Sequence, residues 1–148
     1  MTLDDILIMW KKDAVIDDVC LDEETLKSSK LHAKYLELFS MSKLQLKKLE
    51  MEQESLKKDK WLYYNGKMSQ QDMDDRKWKY DPFDGMTKPL KSDMDMYYST
   101  DKDMVKVKAK IDYQKTIIET LEEIMGNIRW RHTHVKNILD FKKFTSGM

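Results

Sequence analysis

MVKVKAKIDYQKTIIETLEEIMGNIRWRHTHVKNILDF, residues 104–141, decides the fold class. Met104, Val107, Ile111, Gln114, Ile118, Leu121, Met125, Ile128, His132, Val135 and Leu139 follow one another in steps of three and four. Such spacing, held over five repeats, predicts a coiled-coil-like helix. Ile117, Ile124 and Ile138 widen the apolar face beyond a two-position seam, more than a dimer covers. The stripe therefore calls for a bundle or barrel of several helices, drawn either from other subunits or from an earlier helix of the same chain. Val107, Ile111, Ile118, Leu121, Met125, Ile128, Val135 and Leu139 are the candidate oligomerisation residues.

Working back from this helix, residues 23–63 hold neither glycine nor proline and keep Leu31, Tyr35, Leu38, Leu46, Leu49 and Leu56 in helical phase. Asp22 is placed to cap this second long helix, with Glu23 and Glu24 favoured by the dipole of its first turn. A helix this long needs a partner helix or another subunit to cover its apolar side. Leu3, Ile6, Leu7 and Trp10 predict a short amphipathic helix over residues 3–13, and "DAVIDDVCL" interrupts it. Between the long helices, residues 65–90 carry Asn65-Gly66, Asp81-Pro82, Asp84-Gly85 and Lys88-Pro89, which is loop chemistry and also allows a small hairpin. The expected fold is mainly α: long helices, a loop-rich middle segment, and a C-terminal helix that forms an oligomeric bundle or barrel.

The composition agrees with this picture. Of 148 residues, 36% are charged and 41% hydrophobic, against about 25% charged in ordinary soluble domains. That balance favours packing against a partner, and twelve methionines supply adaptable apolar contact. The zero net charge hides an axis. Residues 1–24 hold eight acids against two lysines, a net of −6, while residues 126–144 carry a net of +4. A basic end suits a polyanion and an acidic end a basic partner. Cys20 is the single cysteine, so no internal disulfide is expected. The acidic opening "MTLDDILIMWKKD" is wrong for a signal peptide, and no apolar run approaches a membrane span. The expected protein is soluble and intracellular.

Enzymatic signatures are missing. Gly66, Gly85, Gly126 and Gly147 all lie outside any phosphate-loop context. His132 and His134 stand two residues apart and point to different helical faces, with His132 in the seam and His134 exposed. Cys20 lacks a matched base. No catalytic residue, metal ligand or cofactor is expected.

"LKKDKWLYYNGKM", residues 56–68, carries a local net of +3 with three interleaved rings. Lysines neutralise phosphates and release counterions. Flat rings stack on unpaired bases. "RKWKY", Arg76 to Tyr80, repeats the mixture. Two readings stay open at Trp61 and Tyr64: rings that stack on bases, or plugs that pack the helix end beneath snorkelling lysines.

Set in order, "LDDILIMWKKDAVID", "LHAKYLELFSMSKLQLKKLE", the basic block ending in Tyr63, Tyr64, Asn65 and Gly66, "LKSD", "STDKDMVKVKAKI" and "VKNILDFKKFTSGM" resemble the recombination mediator family of T-even-type bacteriophages, the UvsY-like proteins. The resemblance covers nearly the whole chain without an insertion. It implies a small non-enzymatic protein, acting in the cytoplasm of the infected bacterial host. It implies binding to single-stranded DNA, loading of a RecA-like recombinase onto DNA coated by single-stranded-DNA-binding protein, and a ring homo-oligomer of about six or seven subunits. Its DNA contacts carry over to Lys58 and Lys60; local chemistry adds Lys57, Trp61, Tyr63, Tyr64 and Lys67. Residues 1–98 then form a helical DNA-binding region and residues 99–148 an oligomerisation helix. One departure stands at Arg131-His132-Thr133-His134, where relatives commonly carry arginine, glycine and an aromatic residue. The rival reading is a coiled-coil structural or assembly protein without nucleic acid. It explains the heptads and the charge, and leaves both aromatic-basic clusters idle.

Overall fold

The computed structural model describes residues 1–86 and 88–147. These form α1 (Leu3–Asp13), α2 (Leu21–Tyr64), α3 (Gln70–Arg76), α4 (Met94–Thr100), α5 (Lys102–Arg129) and α6 (Arg131–Thr145), with a 3-10 turn at Lys91–Asp93 leading into α4. No strand occurs among the described residues, so the hairpin allowed for residues 65–90 does not form. In its place the Ser69 hydroxyl accepts the Asp72 N–H and starts α3. The chain packs as two compact units: residues 1–45 with 114–148, and residues 46–113. This division falls inside α2 and α5 and crosses the 98–99 boundary anticipated from sequence.

In the first unit α1 opens with a reciprocal cap. The Thr2 hydroxyl accepts the Asp5 N–H at 3.2 Å, and the Asp5 carboxylate accepts the Thr2 N–H at 2.9 Å. The core joins Ile6 of α1 to Leu31 and Tyr35 of α2 and to Ile117, Leu121, Ile124, Met125 and Ile128 of α5. Tyr35 is fully buried, edge-on to Trp10 at 5.5 Å, and its hydroxyl donates to Asp13 at 2.8 Å. α2 starts one residue before Asp22, which therefore lies in the first turn; the Cys20 carbonyl accepts the Glu24 N–H at 3.1 Å.

The helix expected to run unbroken through residues 104–141 is interrupted at Trp130. Its N–H donates to the Asn127 carbonyl at 3.1 Å, one residue short of the α-helical step, and α6 begins anew at Arg131. The restart turns Arg131 inward, where only 2% of it is exposed, and turns His132 out of the seam to the surface. Burial of a guanidinium requires partners, and Arg131 has them. It pairs with buried Glu24 and donates to the Val15 carbonyl at 3.2 Å and the Asp13 carbonyl at 3.3 Å. His132 instead sets Nδ1 at 2.8 Å from the Arg129 carbonyl, at the point where the helix is broken.

The second unit is built from the C-terminal turns of α2, from α3 and α4, and from the first turns of α5. Leu49, Tyr63, Met94, Met104 and Ile111 are its buried apolar residues, and Lys60 and Asp101 are buried with them.

Candidate nucleic-acid interface

α2 stops where the Asn65-Gly66 signal predicts. Gly66 takes φ +68°, the Lys67 N–H reaches back to the Leu62 carbonyl at 2.8 Å, and the Gly66 N–H to the Tyr63 carbonyl at 3.2 Å. This left-handed cap favours glycine. Helical spacing then sorts the basic-aromatic block onto two faces. Lys57, Lys58 and Trp61 face solvent, and Lys67, beyond the cap, is exposed with its Nζ 4.6 Å from the Trp61 ring centroid. Lys60 and Tyr63 are buried, and Tyr64 is half-buried.

The inward face ends in a charged junction. Lys60 Nζ lies 3.0 Å from Asp101 and 2.9 Å from Asp103, and sits 3.8 Å above the Trp78 ring. Trp78 donates its indole N–H to Asp103 at 3.0 Å and packs on Tyr63 at 5.0 Å. Tyr64 donates its hydroxyl to Asp101 at 2.6 Å. Asp101 also caps α5, accepting the N–H groups of Asp103 and Met104 at 3.0 Å each. Burial pushes the Asp101 carboxyl upward, but the Tyr64 hydroxyl, the Met104 N–H and the Lys60 ammonium outweigh it and hold the group below the ordinary carboxylate range. Burial first, and then the Asp101 carboxylate, push the Tyr64 phenol well up.

The chain after α3 is folded onto this junction. Lys77 takes a left-handed conformation at φ 58°, and the Trp78 N–H returns to the Met73 carbonyl at 2.9 Å. Tyr63 donates its hydroxyl to the Lys79 carbonyl at 2.6 Å. Tyr64, Phe83 and Tyr97 meet at centroid distances of 5.5 to 5.8 Å. Together these residues border an open basin of about 720 Å³ whose rim carries Arg76, Lys77, Lys79, Lys102 and Lys106. Arg76 pairs with Asp59 and Lys79 with Asp84.

A family model described as "Recombination, repair and ssDNA binding protein UvsY" matches residues 9–148. The chain belongs to the UvsY family. Its similarity to the recombination protein uvsY of Enterobacteria phage T4 is 26% identity over 147 residues, 99% of each chain. The fold agrees as well. The crystal structure of the bacteriophage T4 recombination mediator protein UvsY in one lattice superposes with a TM-score of 0.80 at 25% identity, over 99% of this chain and 98% of that one. A second lattice gives 0.79 at 26% identity, over 95% and 98%. Family membership assigns the chain to recombination and repair. No helix among the described residues is long and apolar enough to cross a membrane.

Against this family frame the named site residues separate. Lys57, Lys58, Trp61 and Lys67 share solvent access, whereas Lys60, Tyr63 and Tyr64 build the aromatic-charged interior. The plug at the end of α2 is Trp78 rather than Trp61, which remains 39% exposed. Among the oligomerisation candidates, Ile111, Leu121, Met125, Ile128 and Val135 are buried within the single chain, Val107 and Ile118 are half-buried, and Leu139 is exposed. Asp101 and Asp103 were not singled out from sequence. An aspartate directly before a periodic helix is a cap signal, but its partnership with Lys60 spans too much chain to be read locally.

Proposed function

We propose that this chain is a recombination mediator that binds single-stranded DNA and promotes loading of a RecA-like recombinase onto DNA coated by single-stranded-DNA-binding protein. The observation that carries the reading is the outward face at the end of α2, where Lys57 and Lys58 flank the exposed ring of Trp61. Cations beside a partly exposed aromatic ring suit a flexible polyanion with unpaired bases. Lys58 keeps the role that the family resemblance implies, and Lys60 supports the site from inside. The protein works by binding and organising a strand, without bond chemistry, in the cytoplasm of an infected bacterium.

Self-association into a ring multiplies weak sites through effective concentration. The apolar surface free for it includes Leu139 together with Trp130, Phe141 and Phe144, all exposed on or beside α6. The test is a titration with fluorescent oligothymidylate at two salt concentrations. Binding weakens steeply with salt, and Lys57→Ala with Lys58→Ala lowers the slope of log affinity against log salt by about 1.4. Absence of binding at low salt overturns the reading and favours a purely structural helical protein.

A further inference from the structure

The geometry points to the basin between the end of α2, the 76–83 segment and the start of α5 as a second strand-binding subsite, one that takes a nucleotide with its base inside and its phosphates on the rim. This rests on the single-strand reading above but uses different residues. The 720 Å³ volume lies within the range of about 300–1,000 Å³ usual for clefts that hold a small ligand. Its wall is aromatic: Phe83 and Tyr97 stand edge-on at 88° and are both half-buried, so aromatic surface remains open to the basin. Base stacking asks for such surface.

The rim is cationic in a usable way. Lys60 offsets one of the two charges on Asp101 and Asp103, and the exposed rim cations outnumber the one that remains. Lys77, Lys102 and Lys106 are exposed and form no ion pair among the described residues. The pair of Lys79 with Asp84 is solvent-exposed and that of Arg76 with Asp59 is partly so, and pairs open to solvent yield readily to a phosphate. The wall is also held in position. Trp78 is clamped between Lys60 and Tyr63 and hydrogen-bonded to Asp103, and the Lys79 carbonyl is tied to Tyr63. "RKWKY" thus contributes one ring to the interior and its cations to the rim.

The experiment is photocrosslinking of the full-length protein to oligothymidylate substituted with 5-iododeoxyuridine, with adducts mapped by mass spectrometry. Adducts at Phe83 or Tyr97 are expected beside those at Trp61. Adducts confined to Trp61 overturn the basin and leave the α2 face standing. Failure of the oligonucleotide to bind at all overturns both. A polyaspartate peptide that protects the rim lysines from acetylation, where the oligonucleotide does not, reassigns the basin to an acidic protein segment and overturns the proposal. Lys77→Ala with Lys106→Ala, two exposed changes that leave the circular dichroism melt unchanged, is expected to weaken oligonucleotide binding about tenfold and to flatten its salt dependence. Unaltered affinity and slope in that variant also refute the subsite.

Discussion

Lys60→Ala separates a lysine that holds the protein together from one that holds DNA. The Lys60 side chain is 4% exposed and that of Asp101 is 5% exposed. Removing one partner of a buried pair costs about 3–5 kcal/mol, because the other charge stays behind without compensation. Here the loss falls near the lower end. Asp101 keeps the Tyr64 hydroxyl and two backbone N–H groups, and Asp103, with 40% of its side chain exposed, rehydrates. The cation also leaves the Trp78 face at 3.8 Å, a contact that reaches about 2 kcal/mol when desolvated. A loss of about 3 kcal/mol corresponds to a melting temperature lowered by about 10 °C for a chain of this size. Thermal melts followed by circular dichroism read this directly. Lys58→Ala has the opposite profile, with an unchanged melt and weakened oligothymidylate binding. A Lys60→Ala protein that melts with the wild type while losing affinity refutes the buried junction and returns Lys60 to the phosphate-binding set.

Arg131→Ala removes one of the two cationic partners of Glu24, which keeps Lys27 at 2.9 Å, and two donors to the carbonyls of Asp13 and Val15, so it destabilises the first unit by about 3 kcal/mol in a urea melt; a change below about 1 kcal/mol rejects the inward placement of Arg131. Stability falls with acid in a defined window. Asp101 and Glu24 are both held below the ordinary carboxylate range in the fold, so their contribution is complete above that range and is lost as the pH drops through their folded values. Asp101→Asn reduces the steepness of that acid limb, and an identical limb in the variant excludes Asp101 as its source.

Much of the architecture was legible because it is local. Leu3, Ile6 and Trp10 mark α1, the absence of glycine and proline between residues 23 and 63 marks α2, and Asn65-Gly66 marks its end. The inward side of the last long segment was harder to read. Ile117 with Ile118, and Ile124 with Met125, offer two adjacent seams, and periodicity does not choose between them. Packing buried Ile117, Leu121, Ile124 and Ile128, kept Met125 with them, and left Ile118 half-buried. It continued that buried side onto Arg131, a residue that composition assigns to the surface. Glu24, which pairs with it, is 107 residues away. The same limit applied to the candidate site. A cluster of lysines and rings announces an affinity for single strands, but the inward turn of Lys60 follows from Asp101, just before α5, and Asp103 in its first turn. Trp78 was visible in "RKWKY", yet its place under Lys60 depends on the left-handed turn at Lys77.

In sequence the second unit lies within the first, which sets the order in which their parts leave the ribosome. Residues 46–113 emerge as one uninterrupted length, so the second unit has all its parts as soon as Tyr113 is clear of the exit tunnel. The first unit does not. Its opening 45 residues wait for residues 114–148, including Arg131, which joins Lys27 on Glu24. Throughout synthesis of the middle of the chain, Ile6, Leu31 and Tyr35 have no α5 to cover them. The eight acids and two lysines of the first 24 positions give that waiting length a net charge of −6, which favours its solubility while the apolar stripe is uncovered.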